Sequence, residues 1–561
     1  MTYVITQNCC KDASCVPVCP VDCIRPVGGA GELTGTEMLY IDPETCIDCG
    51  ACLDECPVDA IRQDEDLPEP QRRFKEINAA YFAHHPLDVA MATPNSSRHN
   101  VKPGSLRVAI VGAGPAACYA AMELLAVDGV EVDLFERLPT PFGLIRSGVA
   151  PDHQATKSVV DIFDRAFTNP RFGCHLNVEV GHHLTHDDLL AHHHAVIYAV
   201  GASKSRALGI PGEHLPGNYA AADFVGWYNG HPDHADHVFD LSAPRAVIVG
   251  NGNVALDVAR VLLMTADELA KTDIAQHALN ALSDSNIEEA IILGRRGPRD
   301  GAFSVAEFLA LGYLEGIDIV IDGGELQARP DDDVETVLKL NLIREYAERP
   351  KTAGNKQIVF RFLSSPIEVV GSTHVEGLRV TDNRPDHNLN WLPGSLRRFL
   401  QARRRAAAEG SDETTELIDT SLILRSIGYQ GSAIDGLPHD LGTGIVPNEY
   451  GRVIDNDGRV LAGVYVTGWI KRGPRGVIGT NRTCAEETVA QLLQDHCDGT
   501  LTRDVADREA LRALMADRGA DPVDWTGWQA IDAAERQRGT DACRPRVKFV
   551  SIDELVATAK R

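Results

Sequence analysis

Four cysteines near the amino terminus have a spacing that binds an iron–sulfur cluster. They form the run Cys46-x2-Cys49-x2-Cys52-x3-Cys56, and Pro57 follows the last of them. Three thiolates this close together can wrap one cubane, while the fourth cysteine of such a run ligates a second cluster. The run therefore predicts iron–sulfur chemistry, and it lacks the two separate C-x2-C knuckles of a zinc ribbon.

An earlier copy of the run predicts the second cluster. It extends from Cys9 to Pro20 with the same spacing, but Asp12 stands where the second cysteine would be. The last cysteine of each copy is expected to cross to the other cluster. This gives two ligand sets, namely Cys46, Cys49, Cys52 and Cys19 for one cluster, and Cys9, Cys15 and Cys56 for the other.

Asp12 decides which cluster forms in the second set. A carboxylate is a harder and weaker ligand for this iron than a thiolate, so the fourth iron is either held by Asp12 or absent. We therefore expect one [4Fe-4S] cluster and one that is [3Fe-4S] or [4Fe-4S]. Cys10 is an alternative to Cys9 as a ligand, and Cys23 is left over. The cysteines after residue 56 are expected to be ordinary buried thiols, namely Cys118, Cys174, Cys484, Cys497 and Cys543.

The two copies together resemble a known family. Residues 2 to 64, with Cys-Pro-Val-Asp at Cys19 and again at Cys56, resemble bacterial two-cluster ferredoxins, specifically those with a seven-iron or incomplete first site. The resemblance implies an α+β ferredoxin domain. Residues 1 to 66 also contain 13 acidic and three basic side chains, a net charge of −10, which favours basic partners.

A different chemistry is indicated at residues 107 to 137. An apolar strand ends at Gly112, a helix of small residues follows, and a second apolar strand ends in Glu136. Gly112 can make the tight turn, and Gly114 lets backbone approach a pyrophosphate at the helix N-terminus. Ala116, at the third glycine position, still allows close packing. Glu136 lies 24 residues after Gly112, near the spacing of about 20 for an acid that binds a ribose hydroxyl. The segment predicts a dinucleotide-binding βαβ unit.

Residues 246 to 255, AVIVGNGNVA, repeat this strand-turn-helix pattern. The residues expected at the nucleotide are Gly250, Asn251, Gly252, Asn253 and Val254. The strand from Ala290 to Leu293 then ends in Arg295 and Arg296 instead of an acid. A carboxylate would repel a 2′-phosphate, whereas guanidinium groups pair with it, so the second site is predicted to prefer NADP to NAD.

The loop between these two units carries a second resemblance. ERLPTPFGLIRSGVAPDH, from Glu136 to His153, is rich in proline and glycine and is long enough to cover a ligand. With GRRGP at Gly294 and GWIKRGP at Gly468, it resembles the adrenodoxin reductase type of ferredoxin-NADP reductase, from about residue 105 to 500.

That resemblance implies an α/β flavoprotein with two dinucleotide-binding domains, in which the NADP domain is inserted into a discontinuous FAD domain. It places Glu307 at the nucleotide and His153 near the nicotinamide, with a tuning role for His153. A helix predicted from Asn481 to Gln494 would direct its N-terminus at the flavin. The FAD contacts implied are Ala116, Glu136, Leu144, Val180, Trp469, Gly476, Val477 and Ile478.

The domain boundaries follow from these motifs. We predict a ferredoxin domain over 1–66, a linker over 67–104, the first FAD part over 105–211, the NADP domain over 212–420, and the second FAD part with a C-terminal extension over 421–561. The linker is expected to hold one short helix, from Glu69 to Ala83, before a Pro- and Ser-rich stretch. A basic run from Arg397 to Arg405 could dock an acidic ferredoxin or be a solvated face.

Composition excludes several classes of function. The formal net charge of −26 would repel a nucleic-acid backbone. No apolar run approaches the roughly 18 residues of a membrane span, and the N-terminus lacks the pattern of a signal peptide. We expect a cytoplasmic protein without nucleic-acid or membrane partners.

These features together predict a ferredoxin-NADP reductase with its own ferredoxin. A hydride would pass from NADPH to FAD, and single electrons to the clusters and to an external ferredoxin, P450 or other acceptor, or in reverse. One alternative is an electron-feeding subunit resembling the small subunit of glutamate synthase, and another is a non-enzymatic iron–sulfur redox sensor. A disulfide reductase is disfavoured because Cys118 has no second cysteine at C-x4-C spacing.

Overall fold

The structure is a computed structural model that describes residues 2–26, 38–87, 101–383 and 415–561. The basic run from Arg397 to Arg405 lies outside the described residues. Among the helices that are described, none combines the length and the apolar character needed to cross a bilayer.

The first part is a small α+β domain that carries both cysteine runs. Its elements are β1 (Tyr3–Ile5), β2 (Ile24–Arg25), β3 (Tyr40–Ile41), α1 (Ala51–Asp54), β4 (Ile61–Gln63) and α2 (Arg73–His84). Strand β1 pairs with β4 and β2 with β3, both antiparallel. Helix α2 stands where the sequence predicts a linker helix, but it packs on this domain. The buried Asn78 amide donates to the Ile5 carbonyl at 2.8 Å and accepts the Ile41 N–H at 2.9 Å. This half of the predicted linker is therefore part of the first domain.

The second part begins a parallel sheet. Its elements are β5 (Leu106–Val111), α3 (Pro115–Leu125), β6 (Val130–Glu136), α4 (Leu144–Ser147), α5 (Gln154–Lys157), α6 (Asp164–Phe167), β7 (Phe172–Leu176), α7 (His186–His192), β8 (Ala195–Tyr198) and β9 (Lys204–Ser205). All residues of β5 from Val108 to Val111 are buried. Because a parallel strand is covered on both faces, its apolar run has no polar alternation.

The third part is the inserted domain. Its elements are β10 (Asn218–Ala220), α8 (Ala221–Tyr228), β11 (Arg245–Val249), α9 (Asn253–Leu263), α10 (Ala266–Leu269), α11 (Gln276–Ser283), β12 (Glu289–Leu293), α12 (Val305–Leu311), β13 (Ile317–Asp322), α13 (Val334–Glu348), β14 (Lys356–Arg361), β15 (Ser364–Val370), β16 (Gly377–Asp382), β17 (Thr415–Asp419) and β18 (Leu422–Arg425). A parallel sheet runs in the order β10-β18-β11-β12-β14-β13, beside the antiparallel sheet β15-β16-β17. Since β18 lies inside the parallel sheet, this domain extends to Arg425, slightly past the predicted boundary at 420.

The chain then returns to the first parallel sheet. The remaining elements are β19 (Tyr429–Gln430), β20 (Asn448–Glu449), β21 (Arg452–Ile454), β22 (Val460–Val466), α14 (Trp469–Arg472), α15 (Thr480–Cys497), α16 (Arg508–Asp517), α17 (Trp525–Asp541) and α18 (Ile552–Ala559). Strand order in this sheet is β20-β21-β22-β8-β5-β6-β7. Strands from both sides of the inserted domain share one sheet, so the predicted discontinuous architecture is confirmed.

The last helices pack against the loop that follows β6. Glu535 in α17 is fully buried and accepts two hydrogen bonds from the Arg146 guanidinium, at 2.6 and 2.9 Å. Cys497 ends α15 and Cys543 follows α17, and both are exposed. The prediction of buried thiols is therefore wrong for these two, because helix ends at the surface leave their side chains uncovered.

Candidate functional site

The cysteines of the first domain surround two separate small cavities. One cavity is lined by the first predicted set, namely Cys19, Cys46, Cys49 and Cys52, with Cys23 beside them. The other is lined by the second predicted set, namely Cys9, Cys15 and Cys56, with Asp12 and Cys10. This is the grouping expected when the last cysteine of each run crosses over.

Backbone N–H groups point at several of these sulfurs. Cys9 Sγ accepts from Lys11 N–H at 3.4 Å and Leu39 N–H at 3.5 Å, and Cys56 Sγ accepts from Ala60 N–H at 3.3 Å. Burial raises the pKa of the Cys9 thiol to about 11. Iron must therefore displace a proton there on binding. The thiol donor set and the N–H groups around it fit a cluster, whose potential such hydrogen bonds tune.

Cys10 and Asp12 both face the flavin-type domain. Cys10 is buried in an apolar cluster with Ala113 and Ala116, and burial raises the pKa of its thiol well above the ordinary value. Asp12 is buried, and its Oδ2 accepts the hydroxyl of Tyr119 from α3 at 2.8 Å. One contact between the two domains therefore lies at the incomplete cysteine run, and another joins Ser158 Oγ to the Pro57 carbonyl at 2.8 Å.

The first glycine-rich turn connects β5 to α3. Gly112 has a φ of 100°, and a Cβ there would lie 2.7 Å from the Ala199 carbonyl oxygen. A Cβ on Gly114 would meet no atom of the described residues within 4 Å, which leaves space at the N-terminus of α3 for a pyrophosphate. Glu136 accepts the N–H groups of Ala113 at 2.9 Å and Leu138 at 3.0 Å. The Glu136 carboxylate at the end of β6 is thus hydrogen-bonded directly to the glycine-rich turn.

The other predicted FAD residues lie in three segments. Leu144 begins α4 and is 48% exposed, whereas Val180 packs on the apolar cluster beneath the sheet. Trp469 begins α14, and its buried indole N–H has no acceptor within the described part of the chain. A buried donor of this kind fits a bound flavin.

The segment from Gly476 to Ile478 leads into α15. The N–H of Val477 donates to Thr480 Oγ1 at 3.1 Å. Helix α15 begins at Thr480, one residue before the predicted start, and ends three residues after the predicted end. Its N-terminal turn therefore lies next to the segment implied to contact FAD.

The second glycine-rich turn connects β11 to α9. Gly250 has a φ of 110°, and no described atom lies within 4 Å of a Cβ built on Gly252. Asn251 and Asn253 fix the turn to the next loop. Their side-chain oxygens accept the N–H groups of Ala302 at 3.3 Å and Ser304 at 2.9 Å. Val254 follows in the first turn of α9, so the five predicted residues form one continuous turn at the N-terminus of that helix.

Arg295 and Arg296 follow β12 and are both exposed. Arg296 is 3.5 Å from Asp300, in a pair whose side chains are 61% and 45% exposed. An exposed pair of this kind costs little to break. Both guanidinium groups are therefore accessible to a phosphate at the end of the adjacent strand.

His153 and Glu307, which belong to different domains, lie together. Potential ligand atoms of His153, Asp257 and Glu307 all lie within 4.8 Å of one another. The buried Arg260 of α9 holds this group, with Nη2 at 3.0 Å from His153 Nε2 and 2.8 Å from Asp257 Oδ1. Arg260 also pairs with Asp152 at 2.8 Å. Sequence reasoning missed Arg260 and Asp257, because no local motif marks them.

A single cleft of about 400 Å³ connects the three kinds of site. Asn253 and Glu307 of the inserted domain line it, as does Cys9 of the incomplete cysteine run. Val477 lines it as well, in the segment 476–479 before α15, which we call the flavin segment. Residues predicted for NADP, for FAD and for a cluster therefore face the same space.

Comparisons with known proteins agree with this arrangement. A family model described as "Pyridine nucleotide-disulphide oxidoreductase" matches residues 106–292, and one described as "4Fe-4S binding domain" matches residues 39–62. A "Probable ferredoxin/ferredoxin--NADP reductase" of Mycobacterium tuberculosis is 48% identical over 573 residues, covering 100% of this chain and 95% of the relative.

Two further matches concern the reductase part. "NADPH-ferredoxin reductase FprA" of Mycobacterium tuberculosis is 44% identical over 468 residues, covering 80% of this chain and 98% of FprA. A solved structure of Mycobacterium tuberculosis FprA in complex with NADPH has a TM-score of 0.73 at 41% identity, covering 82% of this chain and 100% of FprA. The chain therefore belongs to the family of ferredoxin/ferredoxin-NADP reductases, in which a ferredoxin domain is fused to a flavoprotein oxidoreductase of the adrenodoxin reductase type.

Proposed function

We propose that this protein passes electrons from NADPH through FAD to two iron–sulfur clusters and then to an external one-electron acceptor. The shared cleft is the observation that carries the proposal, because Asn253, Glu307, Val477 and Cys9 all line it. Bound FAD supplies the conversion of a two-electron hydride donor into single electrons.

The residues of this chain bind and orient the cofactors. Arg295 and Arg296 select the 2′-phosphate of NADPH, and the turn from Gly250 to Val254 holds its pyrophosphate. Glu136, with the turn at Gly112, binds the FAD ribose and pyrophosphate. Arg260 fixes His153 beside Glu307, so these side chains position the nicotinamide where the two domains meet.

We infer that the two clusters act in series. The set with Cys9, Cys15 and Cys56 lies next to the flavin segment, since the Cys10 carbonyl accepts the N–H of Gly479 at 2.8 Å. In the other set, Cys49 is exposed. A cluster held by the Cys9 set would therefore receive electrons from the flavin, and a cluster held by the Cys49 set, which we assign as [4Fe-4S], would deliver them to the acceptor.

The surface around Cys49 fits a basic acceptor protein. Ile47 is 59% and Leu53 is 38% exposed, so two apolar side chains lie beside the exposed ligand. Three exposed acids lie close to Cys49 along the chain, namely Glu44, Asp54 and Glu55. We call these residues with Cys49 the exit face. Its negative charge attracts a basic P450-type or other acceptor and disfavours an acidic ferredoxin. Clusters held by thiolates support our proposal that the protein works in a reducing cytoplasm.

The proposal is tested with Cys49→Ala in the full-length protein. We expect loss of NADPH-dependent cytochrome c reduction, with NADPH-ferricyanide turnover and FAD content retained. Cys543→Ala, at an exposed cysteine that lines neither cavity, is the matched control and should change neither activity. Undiminished cytochrome c reduction by Cys49→Ala would refute the exit through this cluster.

The family likeness over the full length favours this function over the two alternatives. A glutamate synthase-type subunit would require a stable large partner on native gels. A redox sensor would lack NADPH-ferricyanide turnover.

A further inference from the structure

The loop of the incomplete cysteine run contacts the flavin segment through backbone atoms. The Cys10 carbonyl accepts the Gly479 N–H at 2.8 Å. A Cβ on Gly479 would lie 1.9 Å from the Lys11 carbonyl oxygen, so the two backbones could not approach this closely around any larger residue.

Asp12 is the side chain that joins the two domains at this contact. Its Oδ1 accepts the Ser14 N–H at 3.1 Å and the Ser14 hydroxyl. Its Oδ2 accepts the Tyr119 hydroxyl at 2.8 Å and lies 3.8 Å from Arg482 Nη1. Arg482 also donates to the Asp12 carbonyl at 3.1 Å and to Ser14 Oγ at 3.3 Å.

Tyr119 and Arg482 come from the two helices that flank the FAD site. Tyr119 is fully buried in α3, whose N-terminus forms the first glycine-rich turn. Burial and then the Asp12 carboxylate raise the pKa of the Tyr119 hydroxyl well above its ordinary value, so it remains a donor. Arg482 lies in the first turn of α15.

Both carboxylate oxygens of Asp12 are therefore engaged, Oδ1 by Ser14 of its own loop and Oδ2 by Tyr119 and Arg482 of the flavin domain. A carboxylate has about four acceptor positions, and three hydrogen bonds and one close guanidinium already use them. To bind iron, Asp12 would have to leave Tyr119 and Arg482. A buried phenol and a guanidinium would then lose their partner, which costs more than losing a neutral hydrogen bond at the surface.

We propose that Asp12 docks the ferredoxin domain on the FAD domain and, while docked, leaves the fourth iron position of the Cys9 set empty. This inference rests on the proposed cluster in that set. It makes Asp12, Tyr119 and Arg482 positioning residues. Release of Asp12 from Tyr119 and Arg482 would let the carboxylate accept a fourth iron. In that step [3Fe-4S] in its one-electron-reduced, neutral form binds one Fe²⁺ to give [4Fe-4S]²⁺, and dithionite supplies the one electron.

The test compares the full-length protein with Tyr119→Phe/Arg482→Gln by EPR and ⁵⁷Fe Mössbauer spectroscopy during anaerobic titration with Fe²⁺ and dithionite. The wild type should keep the Mössbauer spectrum of a reduced three-iron cluster. In the double variant the Fe²⁺ concentration for half-conversion should fall at least about tenfold, as expected for loss of one hydrogen bond to a charged group. The triple variant with Asp12→Asn should not convert, because an amide cannot replace the carboxylate as ligand.

A second tyrosine–arginine–aspartate group supplies the matched control. Tyr465 donates to Asp495 Oδ2 at 2.6 Å, and Arg452 donates to the same oxygen at 2.9 Å. Tyr465→Phe/Arg452→Gln removes the same contacts far from the clusters and should behave as the wild type. Flavin content and visible circular dichroism check folding, and Tyr119→Phe alone is the milder variant.

The proposal is overturned if the wild type converts at the same Fe²⁺ concentration as the double variant, if neither Tyr119→Phe nor the double variant converts more easily, or if the wild type is isolated with two [4Fe-4S] clusters. Cytochrome c reduction by the wild type is measured in parallel. Its absence would count against the proposed function without altering the iron titration.

Discussion

Asp273 lies buried between two lysines from distant parts of the chain, and its replacement by asparagine gives a sharp test of how the domains are held together. Lys157 Nζ, at the end of α5, is 2.7 and 2.9 Å from the two carboxylate oxygens. Lys548 Nζ, in the C-terminal segment, is 3.0 Å from Oδ2. The one carboxylate therefore joins the FAD part, the NADP domain and the C-terminal segment.

The size of the destabilisation expected for Asp273→Asn follows from the burial of this carboxylate and its lysine partners. The side chains of Asp273 and Lys548 are 2% and 1% exposed. Removing one partner of a buried ion pair costs about 3–5 kcal/mol. Because Asp273 pairs with two lysines, we expect the upper end of this range, which for a chain of this length corresponds to a fall in the melting temperature of about 4 °C.

The assay is thermal unfolding of the FAD-loaded protein, followed by flavin fluorescence on release. Glu345→Gln is the matched control, since Glu345 pairs with Arg73 and Arg349 on the surface with 40% of its side chain exposed. That change should cost about 0–1 kcal/mol. Equal melting temperatures for Asp273→Asn and Glu345→Gln would refute the reasoning.

The difference in stability between the wild type and Asp273→Asn should depend on pH. Burial alone would raise the pKa of Asp273, but the ammonium groups of Lys157 and Lys548 outweigh it and hold this pKa below its usual value. The pKa of an aspartate in the unfolded chain is about 3.9. Above that pH, the ion pair contributes its full stabilisation of the folded state. It is lost as the pH falls towards the lower folded pKa, and the gap between wild type and Asp273→Asn should shrink there.

Three further changes test other parts of the account. Arg295→Ala with Arg296→Ala should raise the KM for NADPH at least about tenfold and leave that for NADH nearly unchanged, because charge-assisted hydrogen bonds to the 2′-phosphate are lost; equal effects in ferricyanide assays would contradict the assignment. Asp133→Asn should lower the melting temperature by several degrees, because the fully buried carboxylate faces His175, His193 and Arg508; an unchanged melting curve would argue against this. The triple variant Glu44→Lys/Asp54→Lys/Glu55→Lys, which reverses the charge of the exit face, should weaken cytochrome c reduction at low salt. Ferricyanide turnover should stay intact. The same reversal at three exposed acids far from the clusters should have no effect, namely Asp517, Asp541 and Glu554.

The sequence predicts the architecture well where short periodic patterns determine it. The strands before Gly112 and Gly250 are buried apolar runs that end in turns, so both nucleotide-binding units could be found locally. The cysteine spacing likewise indicates which sulfurs share a cavity, because the first ligands of each run are close along the chain and the last cysteine of each run crosses to the other set.

Contacts between distant segments could not be found in this way. Asp12 and Arg482 are 470 residues apart, and Lys157 and Lys548 are brought together by Asp273 and Asn229. Helix α2 was predicted, but its attachment to the first domain depends on Asn78 reaching two strands, which no local pattern reveals. Strand β18 belongs to the NADP sheet because β10 and β11 pair with it, and this pairing shifts the domain boundary.

The most direct measurement is anaerobic stopped-flow mixing of the full-length protein with NADPH, with the flavin and the clusters followed separately. The account predicts that flavin absorbance falls first and that cluster absorbance then changes, with the second phase reduced in Cys49→Ala. Flavin reduction with no later change at the clusters would contradict the path from the shared cleft through the Cys9 set to the exit face.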